Sequence, residues 1–553
     1  MRRASYVLLC SLAALPRGAA RGEGFELHVD PSRGIDAPQR GGKLDPFRTL
    51  GFALVEAGNR GSAATVRLAP GEYAGGQGGG SGEEFPIRVP GNLARLAIAA
   101  EPGAVLAGDG DEPLLLLDRT PSGQEGELQV SGLELRGGLA GACLDLGPGA
   151  SAAALFEDCR FRDPAGKGLE VFLAVGASAS VRVIRSTFQG GFGGAAVEPS
   201  ASTRCHLHVE ECTFESIGAY GPGNVLGGGI ELHVDPGTVL EASVLRNRFL
   251  GAGAALQLTT AERGDGIPAA GSSTLLFAGN LVRGGPTGAP AASGPVKNAL
   301  HVSLHRHHNL DLTAASNTFT GIDGRVLFHD NLDALSGGPL PRWVFVNNIA
   351  WGIGGGSEFD AEDLPGFPWD WVVRSNILEK SSLGSRSLDG NLNLDPLFVG
   401  PGDERLRQDS PALDRGDPAF ARFTDLDLAG SCRRAAPVCP PPDGIYPIDM
   451  GAFEHPGFCD FENATFVRGD CNRSGAPLTI ADPVFTFNVL FLGTAQASCP
   501  DACDSNDDGA VDITDGIHVL NFLFLGGRPP APPFELEGRD ESVDCLAECS
   551  VGS

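Results

Sequence analysis

One short stretch near the C-terminus has the residue types and spacing of a calcium loop. Oxygen-bearing side chains recur at positions 1, 3, 5, 9 and 12 of this stretch, and Gly509 occupies position 6, where such a loop turns sharply. The predicted ligands are Asp504, Asn506, Asp508, Ala510 through its backbone carbonyl, Asp512 and Asp515. Position 12 is Asp rather than the usual Glu. The alternative interpretation is an acidic surface loop.

An earlier copy of the pattern begins at Asp470. Its predicted calcium ligands are Asp470, Asn472, Ser474 and Asp482. We expect this site to be the weaker one, because Ser474 replaces an acidic residue. An apolar, helix-compatible segment follows each loop, at 487–493 and 520–526. Two loop–helix units at a spacing of 33–34 residues, each without a first helix, resemble a type I dockerin across residues 468–527.

The resemblance implies Ca²⁺ as a cofactor and a protein partner, usually a cohesin-like scaffold protein. Dockerins commonly read their partner with positions 10 and 11 of each loop. These positions hold Ile480 and Ala481 in the first copy, and Ile513 and Thr514 in the second.

Upstream of this module, one group of residues could support acid–base catalysis. His305 is the candidate general base, and Arg325 is the candidate for stabilising developing charge. Strand alternation would place His301 and His305 on one face, and His329 one coil later would stack above them. The alternative, which we favour, is a solvated strand whose histidines are surface polar groups.

All four tryptophans lie between Trp343 and Trp371. Sugar rings stack on exposed aromatic rings, so Trp351 and Trp369 are candidate substrate-binding residues. The alternative carries equal weight: Trp343 and Trp351 pack in the core, while an insertion with Trp369 and Trp371 caps a surface.

A recurring phrase organises the middle of the chain. Asp158-Cys159-Arg160-Phe161 is typical, and its equivalents end at residues 188, 214, 249, 282, 319, 350 and 378, with spacings of 26 to 37 residues. A fixed phrase with a variable period predicts one supersecondary unit per repeat, with insertions confined to loops. A parallel β-helix explains the pattern, because each coil can bury its apolar face only against its neighbours. We therefore expect Phe161, Phe188, Phe214 and Phe319 to stack in the lumen, and Asn317 and Asn376 to be inward residues or members of a side-chain ladder.

This pattern resembles the right-handed β-helix proteins of the pectin-lyase-like superfamily across roughly residues 25–455. The segment from Pro46 to Tyr73 is similar to the N-terminal region of DUF1565-type proteins, and motifs at 395–398, 410–416 and 449–454 are similar to the end of many bacterial surface β-helix proteins. A short helix is predicted to cover the open N-terminal end, with Asp45 as N-cap, Pro46 at its first position and Gly58 at its C-cap.

The N-terminus and the bulk composition indicate an extracellular protein. A charged start, an apolar run from Tyr6 to Leu15 and small residues before position 21 predict a signal peptide. No apolar run is long enough for a transmembrane segment. Cys205 with Cys212, and Cys432 with Cys439, are plausible local disulfides. The net charge of −28 argues against nucleic acid and favours a neutral polysaccharide, a cationic ligand or calcium.

The sequence thus predicts an all-β right-handed parallel β-helix followed by a small helical module with paired calcium loops. The predicted segments are a signal peptide (1–20), the β-helix (21–455), a linker (456–467), the dockerin-like domain (468–527) and a Pro-rich acidic tail (528–553). The leading function is binding or degradation of an extracellular polysaccharide, by a lyase or glycoside hydrolase if catalytic, on a secreted or surface-docked protein. The alternative is a non-catalytic surface or adhesion protein whose β-helix is a rigid spacer.

Overall fold

The structure is a computed structural model. It describes residues 24–75, 82–119, 126–217, 227–251, 253–260, 271–284, 298–304, 308–330, 342–355, 358–359, 370–380, 390–424, 426–433, 447–455, 465–475, 477–492, 497 and 499–538. The predicted signal peptide lies outside these residues. The statements that follow, including counts of strands, refer to the described parts of the chain.

The described chain up to Leu378 forms a parallel β-solenoid with three sheets of 12, 9 and 11 strands, and each coil from β2 to β28 contributes one strand to each sheet. Sheet 1 contains β1 (Phe25–Val29), β2 (Ala63–Leu68), β5 (Arg95–Ala100), β8 (Gly126–Ser131), β11 (Ser151–Glu157), β14 (Ser178–Ile184), β17 (Arg204–Glu210), β20 (Val239–Leu245), β23 (Gly271–Ala278), β26 (His308–Ala315), β29 (Arg342–Val346) and β31 (Asp370–Arg374). Sheet 2 contains β4 (Ile87–Arg88), β7 (Leu115–Arg119), β10 (Ala142–Leu146), β13 (Lys167–Leu173), β16 (Gly193–Pro199), β19 (Ile230–Val234), β22 (Leu256–Thr260), β25 (Asn298–Ser303) and β28 (Arg325–Asp330).

Sheet 3 is built from the recurring phrase. Its strands are β3 (Gly71–Ala74), β6 (Ala104–Ala107), β9 (Glu134–Arg136), β12 (Arg160–Arg162), β15 (Thr187–Gln189), β18 (Thr213–Glu215), β21 (Arg248–Leu250), β24 (Leu281–Arg283), β27 (Thr318–Thr320), β30 (Ile349–Trp351) and β32 (Ile377–Leu378). Every pairing within the three sheets is parallel, as in Phe161 opposite Phe188. The predicted β-helix is therefore confirmed, while its right-handedness stays a prediction.

The predicted lumen stack is also confirmed. Phe161, Phe188, Phe214 and Phe249 lie face to face, with ring centroids 4.5–4.7 Å apart, and the stack continues through Phe277 to Phe319. All of these side chains are buried. Because neighbouring parallel strands are separated by about 4.8 Å, identical rings in register must stack at that distance.

Asparagine side chains form a continuous ladder at the corner between sheets 1 and 3. Each amide oxygen accepts a hydrogen bond from the backbone N–H of the preceding rung; Asn317 Oδ1, for example, lies 2.9 Å from Asn280 N. The rungs are Asn247, Asn280, Asn317, Asn348, Asn376 and Asn391, so the predicted roles of Asn317 and Asn376 are confirmed. The residue before each of the first five rungs has positive φ, and only Gly279 among these five residues is a glycine.

The N-terminal helix exists, but its predicted caps are wrong. Helix α1 spans Leu50–Arg60, with Thr49 as N-cap and Gly61 as C-cap. Thr49 accepts from the Phe52 N–H, and the buried Glu83 carboxylate accepts from Leu50 N at 2.6 Å and Gly51 N at 3.1 Å. Asp45 and Pro46 gave a misleading prediction because the residues that cap the helix N-terminus, Thr49 and Glu83, come later in the chain.

A segment that we call the strap, residues 398–455, runs back along the outside of the solenoid. It begins with the antiparallel strands β33 (Phe398–Gly400) and β34 (Asp403–Leu406) and includes a 3-10 helix, Pro418–Phe423. Its apolar side chains pack against Leu281 and Ile349 of sheet 3 and against Leu245 of sheet 1. Arg248 donates to the strap carbonyl of Leu428 at 3.0 Å.

The C-terminal module contains three short helices and a π-helical turn. Helix α2 spans Ala481–Phe487 and continues as the turn Asn488–Leu492, α3 spans Pro500–Cys503, and α4 spans Ile513–Leu525. The first part of the predicted tail packs back on the module, since Phe466 pairs with Gly538. None of the described helices has the length and apolar composition that crossing a membrane requires.

The cysteines differ in part from the prediction. Cys205 and Cys212 are buried free thiols: Cys205 lies near the start of β17 and Cys212 two residues after its end, too far apart along an extended chain to be bridged. A disulfide joins Cys471 to Cys503. Cys432 is disulfide-bonded, but Cys439 lies outside the described residues.

Candidate functional site

The predicted catalytic pair is described only in part. Arg325 opens β28 opposite Asn298, whose side chain accepts a hydrogen bond from the Arg325 N–H at 3.0 Å. His305 lies outside the described residues, so the pairing of His305 with Arg325 stays a prediction. The expected stacking of His329 above His301 is wrong: His301 pairs with Phe328, and His329 turns inward, edge-on to Trp343.

The tryptophans occupy two different environments. Trp343 is fully buried in the lumen and contacts Trp371. Trp351 is half-buried on sheet 3 and packs among the strap residues, on a different sheet from Arg325. Trp369 lies outside the described residues. The substrate-binding roles of Trp351 and Trp369 stay predictions.

The outer face of sheet 2 carries a feature that the sequence analysis missed. Five successive strands, β7 to β19, each contribute one carboxylate to this face. These residues are Asp118, Asp145, Glu170, Glu198 and Glu231. Asp118 and Asp145 lie directly opposite each other in register, and Arg88 of β4 partly offsets their repulsion, since its Nη1 lies 3.6 Å from Asp118 Oδ2.

Lys167 joins the last two carboxylates of this row. Its Nζ lies 3.1 Å from Glu231 Oε2 and 3.4 Å from Glu198 Oε1. The side chains of Lys167 and Glu231 are only 12% and 6% exposed, whereas that of Glu198 is 38% exposed. His233 Nε2 lies 3.4 Å from Glu231 Oε2 on the other side, and the Gly228 N–H donates to Glu231 Oε1 at 2.9 Å.

These neighbours give two of the glutamates different acidities. Burial raises the pKa of Glu170; Lys167 partly offsets the rise, and the charges of Glu198 and Glu231 add to it. Burial acts on Glu231 as well, but the hydrogen bond from His233, the charge of Lys167 and the Gly228 N–H hold its pKa below the usual value. Glu170 and Glu231 lie two strands apart, each in register with Ala196 of the strand between them. Carboxyl groups on one face with opposite pKa shifts are a common basis of acid–base chemistry.

Variable loop lengths and an offset in register hid this row from the sequence, because Glu198 lies opposite Phe172 and not opposite Glu170. Glu170 follows Phe161 by 9 residues, Glu198 follows Phe188 by 10, and Glu231 follows Phe214 by 17. Counting from the recurring phrase therefore does not align the three glutamates. The available signal was local: each glutamate follows an apolar or small inward-facing residue in a β-rich run, such as Leu169-Glu170-Val171.

The two predicted calcium loops have matching geometry. The Asp504 carboxylate accepts from the N–H groups of Asp508 at 3.2 Å and Gly509 at 2.8 Å, and the Asp470 carboxylate accepts equivalently from Ser474 at 2.8 Å and Gly475 at 2.7 Å. Asn506 Oδ1 accepts from Asp508 N in the second loop, as Asn472 Oδ1 does from Ser474 N in the first. Asp512 accepts from Thr514 N as the N-cap of α4.

The last acidic residue of each loop is buried in a way that suits a cation. Asp482 Oδ1 is buried without a hydrogen-bond partner. Burial raises the pKa of Asp482, and the nearby Asp470 adds to this rise; burial, with Asp504 and Asp508 nearby, raises the pKa of Asp515 to about 7. Carboxylates in such proximity fit Ca²⁺, whose charge would remove their repulsion. The described residues contain no metal cluster of three or more His, Cys, Asp or Glu; a loop of this kind also uses Asn and carbonyl oxygens.

Comparisons with known proteins show only a distant structural similarity. The chain is similar to the catalytic domain of a GH87 alpha-1,3-glucanase in complex with nigerose, at 9% identity and a TM-score of 0.23, over 62% of this chain and 67% of that chain. At this TM-score the similarity carries no argument about activity. No protein-family model matches the chain. No curated protein matches it either.

Proposed function

We propose that this protein binds or degrades an extracellular polysaccharide, and that the sugar chain contacts the outer face of sheet 2. The observation that carries the proposal is the convergence of Lys167, Glu170, Glu198, Glu231 and His233 on that face. A sugar polymer lying along the solenoid axis would cross one strand after another, and strands are about 4.8 Å apart, a repeat comparable to the length of one sugar unit.

The charge of the face limits the kind of polysaccharide. Five carboxylates share this face with two cationic side chains, Lys167 and Arg88, and the whole chain has a net charge of −28. A polymer of uronic acids would be repelled, whereas a neutral or amino-sugar polymer would not. We therefore propose a polysaccharide without carboxylates, and we expect no binding to nucleic acid.

If the site is catalytic, Glu170, whose pKa is raised, and the more exposed Glu198 suit hydrolysis of a glycosidic bond. In this proposal Glu170 donates its proton to the glycosidic oxygen as the bond to the anomeric carbon breaks. Glu198, the more exposed of the Lys167-paired carboxylates, accepts a proton from the water that attacks that carbon. Lys167 and His233 position the carboxylates and do not transfer protons.

The experiment measures both binding and cleavage. The secreted protein is mixed with neutral, amino-sugar and uronate polysaccharides, and sedimentation with the polymer and new reducing or unsaturated ends are scored. Glu170→Gln and Glu198→Gln should abolish product formation. The matched control is Glu215→Gln, an exposed glutamate on sheet 3, which should act like the wild type.

Each outcome has a distinct meaning. If the wild-type protein binds a polymer without releasing products, and Lys167→Met abolishes that binding, the result would support recognition without catalysis. Equal activity in Glu198→Gln and Glu215→Gln would overturn the proposed site. Failure to bind any polymer would favour the rigid spacer, an interpretation to which the continuous asparagine ladder and phenylalanine stack also give support.

We propose that the C-terminal module binds calcium and docks the secreted protein to a scaffold or cell surface. Its two loop–helix units leave apolar side chains exposed at equivalent positions, 33 residues apart. These pairs are Ile480 with Ile513, Val484 with Ile517, and Phe491 with Phe524. Exposed apolar surface of this kind indicates a protein partner, and a cohesin-like scaffold is the candidate. Loss of pull-down by such a scaffold on adding a calcium chelator tests this part.

A further inference from the structure

We infer that the two calcium loops act as a coupled pair, and that Arg468 and the disulfide Cys471–Cys503 carry the coupling. The inference rests on the calcium-binding part of the proposed function. It adds a role for residues that are not themselves ligands, and it makes the affinity of each loop depend on the other.

Arg468 connects the start of the first loop to the second loop. It lies two residues before Asp470 and is fully buried. Its Nη1 donates to the backbone carbonyl of Asp504 at 3.0 Å, and its Nη2 lies 2.9 Å from Asp507 Oδ1. Arg468 thus holds the backbone of the first ligand of the second loop and a side chain inside that loop. A planar guanidinium held by several acceptors has little freedom to move alone.

The disulfide reinforces the same connection. Cys471 directly follows Asp470, and Cys503 directly precedes Asp504, so each sulfur is one residue away from the first predicted ligand of its loop. The Gly469 N–H also donates to Ala502 O at 2.8 Å. Segments 468–471 and 501–504 therefore move together, and a shift of either first ligand is passed to the other loop.

The loops themselves provide the change that is transmitted. Asp482 Oδ1 is buried and has no hydrogen-bond partner. The Asp482 carboxylate lies near that of Asp470, and the two negative charges repel each other. A cation at this point replaces repulsion by attraction and draws Asp470 inward. Asp470 is linked to Asp504 through Arg468 and the disulfide. Calcium binding to one loop therefore moves the first ligand of the other loop towards its binding position. Such coupling must be reciprocal.

Calcium titration of the full chain by isothermal calorimetry tests the inference. Asp515→Asn removes the second site, and we expect calcium affinity at the first site to fall by about tenfold, within the usual range of coupling between sites. Asp482→Asn should weaken the second site by the same factor. The double variant Cys471→Ala/Cys503→Ala and the variant Arg468→Met should each bind two ions with reduced coupling. The control is Arg528→Met, an exposed arginine of the same module.

The outcomes separate this inference from the function on which it rests. Two ions bound with affinities that are unaffected by loss of the other site would overturn the coupling and leave calcium binding intact. No calcium binding by the wild type would overturn both. If Arg468→Met fails to fold, the reciprocal comparison of Asp515→Asn with Asp482→Asn still tests the coupling, and the double cysteine variant still tests what carries it; undiminished coupling in that variant would overturn the role of the disulfide.

Discussion

Replacing Asn317 by alanine should destabilise the solenoid more than removing any comparable exposed amide. Asn317 is a fully buried central rung of the asparagine ladder. Its Oδ1 accepts from Asn280 N at 2.9 Å and from Asn280 Nδ2 at 3.1 Å, and its Nδ2 donates to Phe277 O at 2.8 Å and Asn348 Oδ1 at 2.9 Å. Alanine removes all four hydrogen bonds at once.

The magnitude follows from the groups left behind. In Asn317→Ala, the backbone N–H of Asn280 and one hydrogen of its amide lose their acceptor at a site closed to water. An unsatisfied buried donor costs about 1–3 kcal/mol, so we expect a loss of about 2–6 kcal/mol. This is a large fraction of the stability of an ordinary domain.

The assay is guanidinium unfolding followed by tryptophan fluorescence, because Trp343 is buried one coil away. Asn391→Ala is the matched control: Asn391 is the last described rung and makes equivalent bonds to Asn376, but it is half-buried, so water can replace it. An unfolding midpoint for Asn317→Ala equal to that of Asn391→Ala would refute the role of the ladder. Midpoints are compared because a repeat array need not unfold in two states.

Substitutions at three further positions probe the core and the cap. Phe214→Ala should cost about 3–5 kcal/mol, because the ring is buried between two stacked neighbours, and Phe214→Leu should cost less on denaturation. Burial raises the pKa of Glu83 from 4.5 to about 7, so wild-type stability should fall as the pH rises through that window, and Glu83→Gln should remove the fall in thermal scans. Burial lowers the pKa of His308 from 6.5 to about 4; stability should fall as the pH drops through that range, and His308→Gln should reduce this loss.

The parts of the fold that repeat could be predicted from the sequence. The phrase ending in Phe161 fixes one inward residue and one ladder position per coil, and its recurrence determines how coils stack. A single slip of register would turn Phe188 and Phe214 to the outside, so the pattern leaves one solution. The alternation of apolar and polar residues predicts the strands of sheet 3, because only one register buries the apolar side chains.

Features that depend on distant parts of the chain could not be predicted in this way. Glu83 caps α1 from 33 residues away in sequence, and the strap residue Leu428 meets Arg248 across 180 residues. The carboxylates on sheet 2 come together only in the folded chain, because insertions of unequal length separate them in the sequence. The role of Cys212 also depends on a distant residue. It occupies a ladder position, where its Sγ accepts from Ser186 N at 3.4 Å, and it does not form the predicted disulfide with Cys205.

The distribution of packing and charge over the three faces gives the best physical reason to look for function on sheet 2. The strap places its apolar contacts and hydrogen bonds on sheets 3 and 1, where Leu281 and Leu245 are covered. On sheet 2 Glu170 is partly buried near two other glutamates, and Asp145 faces Asp118, whose charge the ion pair with Arg88 only partly offsets. These choices work against the stability of the sheet, because like charges repel and burial disfavours ionisation. A sequence that agrees with its fold elsewhere and departs from it at one surface is expected to do so where a ligand offsets the cost.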